Sequence, residues 1–198
     1  ARMTGAPPNR PPTSEQPWRH CVADREWLPP VLQRLKKQPL IVDGGGTSVC
    51  LGRADLERLV PHRPPMLLVD AIDCVDVPGQ AVRGRRSVSV TDVGFVGHFP
   101  GEPVYPGVLL VEAMGQLGLT LLHFAATGTT HVPATATPPR VRATHIHYAA
   151  FLAPVVPGDE LALYAQVVDS SFTMIAAGQA YKNGTLAAYA VSEVYVDE

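Results

Sequence analysis

From Val108 to Ala126 the chain is almost continuously apolar, interrupted by Glu112, Gln116, Thr120 and His123. A helix of this composition must be covered on nearly every side. It is barely long enough to cross a bilayer, and a carboxyl and an amide are out of place in hydrocarbon. The expectation is therefore a buried core helix, not a membrane span. Glu112, Gln116 and Thr120 stand at i, i+4 and i+8, so they share one face. Desolvation is expected to raise the pKa of such a carboxyl, which suits a general acid or a group that holds water or hydroxyl. Gln116, one turn on, is placed to orient it. The plainer alternative is a core carboxylate paired with an arginine.

The segments C-terminal to this helix are its natural cover. After a loop of small residues and prolines (127–139), β segments are expected at Val141–Tyr148, Glu160–Val168, Ser171–Lys182 and Thr185–Val196. Asn183-Gly184 marks a hairpin, because both central positions of a type I′ turn need positive φ. Before the helix, Ala54–Val60 reads as a short helix and Leu67–Val75 as a strand. Ala81–Val90 alternates strictly, with Val82, Gly84, Arg86, Val88 and Val90 on one face. One apolar helix and a run of antiparallel strands make the fold class α+β, a curved sheet wrapped around the helix.

The N-terminal part differs in character. Residues 1–17 carry Pro7, Pro8, Pro11, Pro12 and Pro17 and are expected to be extended or disordered, with no apolar core of a secretory leader. A short helix over Ala23–Lys37, broken by Pro29 and Pro30, and a strand at Leu40–Val42 are expected next. The run Gly44-Gly45-Gly46-Thr47-Ser48 lacks the Gly-Lys-Ser/Thr ending of a phosphate loop and reads as a flexible linker. Residues 1–51 are thus expected to be an extension dispensable for folding, and 52–198 the main domain. A net charge of −2 with 17% charged residues gives no basic excess for nucleic acid or a membrane surface. Cys21, Cys50 and Cys74 have no paired spacing and are expected as free thiols in a reducing, cytoplasmic setting.

Chemistry concentrates in Gly97-His98-Phe99-Pro100-Gly101 and in Pro106-Gly107 leading into the helix. His98 lies in a Gly/Pro loop that ends at the N-terminus of the helix bearing Glu112. That helix start offers free N–H groups at Gly107 and Val108 to a carbonyl oxygen gaining negative charge. Gly107 has no side chain to obstruct the approach. A base, an acid and oxyanion donors fit removal of a proton α to a thioester carbonyl with loss of a β-hydroxyl. That reaction needs no metal and no redox cofactor. Phe99 and Tyr105 are candidates to line an acyl tunnel.

Leu59-Val60-Pro61-His62-Arg63-Pro64-Pro65-Met66-Leu67-Leu68-Val69-Asp70 resembles the opening signature of FabZ-type 3-hydroxyacyl-acyl-carrier-protein dehydratases. The run from Gly97 to Gln116 is similar to their active-site signature, and Phe151–Asp159 to a third segment, in family order. The resemblance implies a hot-dog fold, a catalytic pair of His98 and Glu112, Gln116 in support, and the Gly107 backbone on the thioester carbonyl. It also implies an acyl carrier protein as substrate carrier, and a homodimer, or a higher oligomer built from dimers, in which His98 of one chain works with Glu112 of its partner. The FabA type carries Asp where this chain has Glu112. Ala150, Leu152 and Ala153 stand where the family usually has basic residues, so Arg83, Arg85, Arg86, Arg140 and Arg142 are the alternative carrier-docking patch. The extension points to a specialised route such as polyketide assembly. A hot-dog thioesterase, or a partner subunit of a heteromeric dehydratase, are the competing readings.

His145 and His147 alternate on one strand face, but no third metal ligand stands at motif spacing. His62 and Arg63 are expected to make structural hydrogen bonds only.

Overall fold

The computed structural model describes residues 25–42 and 44–197. Three α-helices, α1 (Leu28–Lys37), α2 (Arg53–Leu59) and α3 (Gly107–Thr127), accompany seven strands. The strands are β1 (Thr47–Leu51), β2 (Ala71–Asp76), β3 (Ala81–Ser87), β4 (Val141–Phe151), β5 (Glu160–Asp169), β6 (Met174–Lys182) and β7 (Thr185–Val196). They form one sheet in the order β1-β2-β3-β5-β6-β7-β4, antiparallel at every pairing. The long apolar run forms α3, which packs along β3, β5, β6 and β7. Leu110, Met114, Leu117, Leu121 and Phe124 are buried between it and the sheet. Close approach is possible because the facing residues are small: Met114 lies over Gly178, and Gly118 faces Ala165 and Ala176. By length and composition α3 is also apolar enough to cross a membrane, but 61% of that stretch is buried inside the fold. This is the hot-dog arrangement.

Strand periodicity places the later elements close to expectation. Asn183 and Gly184 both have positive φ, at 50° and 78°, and join β6 to β7. On β3, Val82, Gly84 and Arg86 are buried as the alternation requires. The strand ends at Ser87, but the alternation runs one step further to buried Val88, whose N–H donates to Asp159 O; only Val90 leaves the pattern and is exposed. Buried Arg86 is neutralised by Asp70 (3.1 Å) and Asp92 (2.6 Å). Arg83 is tied to Asp73 at 2.6 Å and Arg142 to Asp197 at 2.5 Å. Of the five arginines considered for carrier docking, only Arg85 and Arg140 are exposed without an ion pair among the described residues.

The segment before Gly52 departs most from expectation. Pro29 and Pro30 open α1 rather than break it, since the first helical positions need no N–H donor. Leu40–Val42 forms no strand: Leu40 N–H donates to the Gln179 side-chain oxygen (2.8 Å) instead of to a ladder. The glycine run is no linker either. A Cβ at Gly46 would lie 2.9 Å from Cys74 Sγ, so glycine there lets the backbone come against β2, and β1 begins at the next residue as an edge strand. The sheet therefore begins before the boundary expected at Gly52. Residues 1–24, including the proline-rich stretch and Cys21, lie outside the described residues.

Helix α1 covers the outer face of the sheet. Leu28 and Leu35 are buried against Ala177, Tyr189 and Val191. Gln179 of β6 donates to the carbonyls of Leu35 (2.7 Å) and Gln38 (2.9 Å), capping the helix C-terminus with a side chain from the sheet. On the same face His147 and His145 meet buried Glu193, at 2.8 and 3.6 Å, with Trp27 edge-on to His147. The expectation that the core is indifferent to the whole extension conflicts with this packing. Leu35→Ala is expected to lower the stability of the full chain by about 2–4 kcal/mol. An unchanged urea midpoint would show that α1 docks without holding the sheet.

Candidate active site

The structure gathers the candidate residues into two clusters, one at the start of α3 and one further along it. The first is built by the loop after β3. A single 3₁₀ turn, Val93–Phe95, reverses the chain. His98 N–H then donates to Phe95 O (3.3 Å), and Val104 N–H returns to His98 O (3.0 Å). The imidazole Nδ1 is 2.8 Å from Val104 O. A carbonyl only accepts, so Nδ1 carries the hydrogen and the neutral ring presents its lone pair at Nε2. His98 lines a cavity of about 410 Å³, together with Tyr105, Gly107, Val108, Phe151 and Pro154. Gly107 and Val108 form the first turn of α3, whose N–H groups have no carbonyl one turn back. The wall thus joins a basic nitrogen to a helix start suited to an oxyanion.

The structure separates some residues expected together. Phe99 is not in the cavity wall; it is 55% exposed and stacks on the His98 ring at 4.1 Å between centroids. Tyr105 is in the wall, buried, and its N–H is fastened to Val155 O at 2.7 Å. The approach over Gly107 is not bare: a Cβ there would lie 2.7 Å from the Phe151 ring. Phe151, at the end of β4, is a wall residue that sequence reasoning did not single out.

Glu112 is absent from the lining of that cavity. It stands in the second cluster, with His62 and Gln116. Gln116 is fully buried and its amide is fixed from three directions. Leu68 N–H donates to its oxygen (2.8 Å), while its nitrogen donates to Met66 O (2.7 Å) and to Glu112 Oε1 (2.8 Å). His62 Nε2 lies 3.2 Å from the same Glu112 oxygen. The His62 hydrogen bond holds the Glu112 carboxyl below its ordinary range. Burial opposes this and Gln116 reinforces it. The expected upward shift is therefore reversed, because the carboxyl gains two donors and keeps 38% of its side chain exposed. Its partner is an imidazole, not an arginine.

The segment around His62 and Arg63 is held from within. Arg63 donates to the carbonyls of Glu57 (2.8 Å), Val60 (3.0 Å) and His62 (2.7 Å), winding the chain after α2 into a tight loop. That loop sets His62, Met66 and Leu68 around the polar face of α3. The segment Phe151–Asp159 is pinned by Asp159, which accepts from Val156 N–H (2.7 Å) and Lys182 (2.9 Å).

An antiparallel hot-dog sheet around a helix, with a histidine loop at the helix start and a carboxylate on its polar face, defines the class of protein. The FabA-like domain model matches residues 60–191, and the chain belongs to that family. It is similar to the 3-hydroxyacyl-[acyl-carrier-protein] dehydratase FabZ of Syntrophotalea carbinolica, at 38% identity over 138 residues, 69% of this chain and 88% of that protein. Against the protein of the same name from Campylobacter jejuni it is 40% identical over 136 residues, 68% of this chain and 90% of the other.

Proposed function

We propose that the protein dehydrates 3-hydroxyacyl thioesters borne on acyl carrier protein to trans-2-enoyl thioesters, in fatty-acid or polyketide-type assembly in the cytoplasm. The observation that carries this is the His98 ring. Its Nδ1 is anchored on Val104 O and its Nε2 has no partner among the described residues, in a cavity whose wall includes the first turn of α3. His98 Nε2 removes a proton from C2 of the acyl chain. The electron pair moves onto the thioester carbonyl, whose oxygen is held at the Gly107 and Val108 N–H groups. It then returns to form the C2–C3 double bond as the C3–O bond breaks. Glu112, as the neutral acid, gives its proton to the departing hydroxyl and water leaves. The bound acyl chain excludes solvent from the half-exposed carboxyl, and that desolvation favours the acid form.

Glu112 does not line the His98 cavity of its own chain, so the site is read as formed by two protomers, each supplying one residue. Two features support a homodimer. Strand β4 ends the sheet with one edge unpaired among the described residues. The surface beside the His98 cavity exposes Val108, Phe151 and Leu152, an apolar patch that a second copy would cover.

The test is mass spectrometry of carrier-bound 3-hydroxyacyl chains after incubation with the protein. Dehydration leaves the acyl carrier lighter by one water; a thioesterase would release free carrier thiol instead, and that outcome would overturn the reading.

A further inference from the structure

His62 is the group that sequence reasoning undervalues. Its Nε2 and the Gln116 nitrogen converge on one atom, Glu112 Oε1, at 3.2 and 2.8 Å. No group among the described residues bonds Oε2, and Oε2 is not among the buried polar atoms left without a partner. The two oxygens are therefore inequivalent: Oε1 accepts from the Gln116 N–H and is faced by His62 Nε2, while Oε2 is open. His62 Nδ1 is buried and unpartnered among the described residues, so the polar contact of the ring is directed at Glu112. The loop holding His62 is itself tied down, because Arg63 grips its carbonyls at Val60 and His62 together with that of Glu57 on α2.

From this geometry we propose that His62 is a positioning residue for Glu112. Together with Gln116 it pins Oε1, so that Oε2 is the atom that delivers the proton to the substrate hydroxyl. A proton on Oε1 would displace one of two donors, whereas one on Oε2 displaces none. The carboxyl is thereby fixed both in rotation and in which oxygen is protonated. This role rests on the dehydratase reading, which gives Glu112 its task.

The sign of the pH effect comes from counting protons on the His98–Glu112 pair. The productive pair holds one proton in all. The pair titrates in two macroscopic steps, and below the lower of them it holds two protons and no base remains. The hydrogen bond from His62 lowers the carboxyl pKa. Removing the donor raises it, and the acid limb of kcat/KM moves to higher pH.

Two measurements test the proposal together. One is the titration of the Glu112 carboxyl by carbon NMR of glutamate-labelled protein, assigned by the signal lost in Glu112→Gln. The other is the pH profile of kcat/KM for dehydration. In His62→Phe, Glu112 is expected to titrate at higher pH than in the parent protein, and the acid limb to move the same way. kcat/KM should fall about 10- to 100-fold from misplacement of the acid. His62→Gln, which restores an uncharged donor, is expected to recover most of the loss. His62→Leu serves as the donor-free variant if the phenylalanine does not fold. An unmoved Glu112 titration in a folded donor-free variant overturns the proposal, as does a glutamine variant no better than the donor-free one. A parent protein that titrates as expected but does not dehydrate any 3-hydroxyacyl carrier would sink the dehydratase reading while leaving the His62–Glu112 coupling intact.

Discussion

His98→Ala is expected to lower dehydration by about 100- to 10,000-fold, the range over which a positioned general base contributes. The alanine removes the free Nε2 from the cavity. It also removes the Nδ1 hydrogen bond to Val104 O, which sits on a loop held independently by backbone pairs between Phe99 and Glu102 and between Val104 and His98. The loop, half-exposed at this point, should survive the change, so the far-ultraviolet spectrum and the unfolding midpoint should stay close to those of the parent. Turnover near the parental level in a well-folded variant would remove His98 from the mechanism.

Mixing His98→Ala chains with Glu112→Gln chains, each inactive alone, is expected to restore about a quarter of the parental activity. Random pairing makes half of the dimers mixed. If each site takes its histidine from one chain and its glutamate from the other, a mixed dimer has one site with both residues intact and one with both replaced. A quarter of all sites are then whole, as symmetric pairing requires. If both residues act within one chain, every site in every mixed dimer lacks one of them and nothing is recovered. The structure favours the first outcome because Glu112 is not among the residues lining the cavity around His98. The experiment needs proof that the dimers are mixed, for example from differently tagged chains. No recovery from such dimers would reject the shared site even with both residues individually essential.

Much of the fold is legible in local pattern. The nearly unbroken apolar run of α3 demands a sheet around it, and the strands beyond it carry their own period and a hairpin turn whose two positive φ angles only certain residues accept readily. The position of His98 in a Gly/Pro loop ahead of a helix start is equally readable, since sequence neighbours are spatial neighbours there. Local pattern does not supply contacts between distant segments. Gly44 to Gly46 has the composition of a linker. Only the approach of Cys74 on β2 shows why glycine is needed, and why β1 joins the sheet. Leu28 and Leu35 of α1 become structural through the apolar outer face offered by β6 and β7, which is assembled from residues far later in the chain. The charge state of Glu112 escapes local pattern for the same reason. Apolar neighbours along α3 predict desolvation, but a carboxyl on a helix responds to whatever the fold brings against it. Here that is His62 from the loop after α2, whose hydrogen bond outweighs the burial. A helix needing cover, the strands to cover it and a histidine just ahead of the helix start are all readable from residue order. Which oxygen of Glu112 accepts from Gln116, and which residues line the His98 cavity, came only with the fold, because hydrogen bonding and packing act through space and not along the chain.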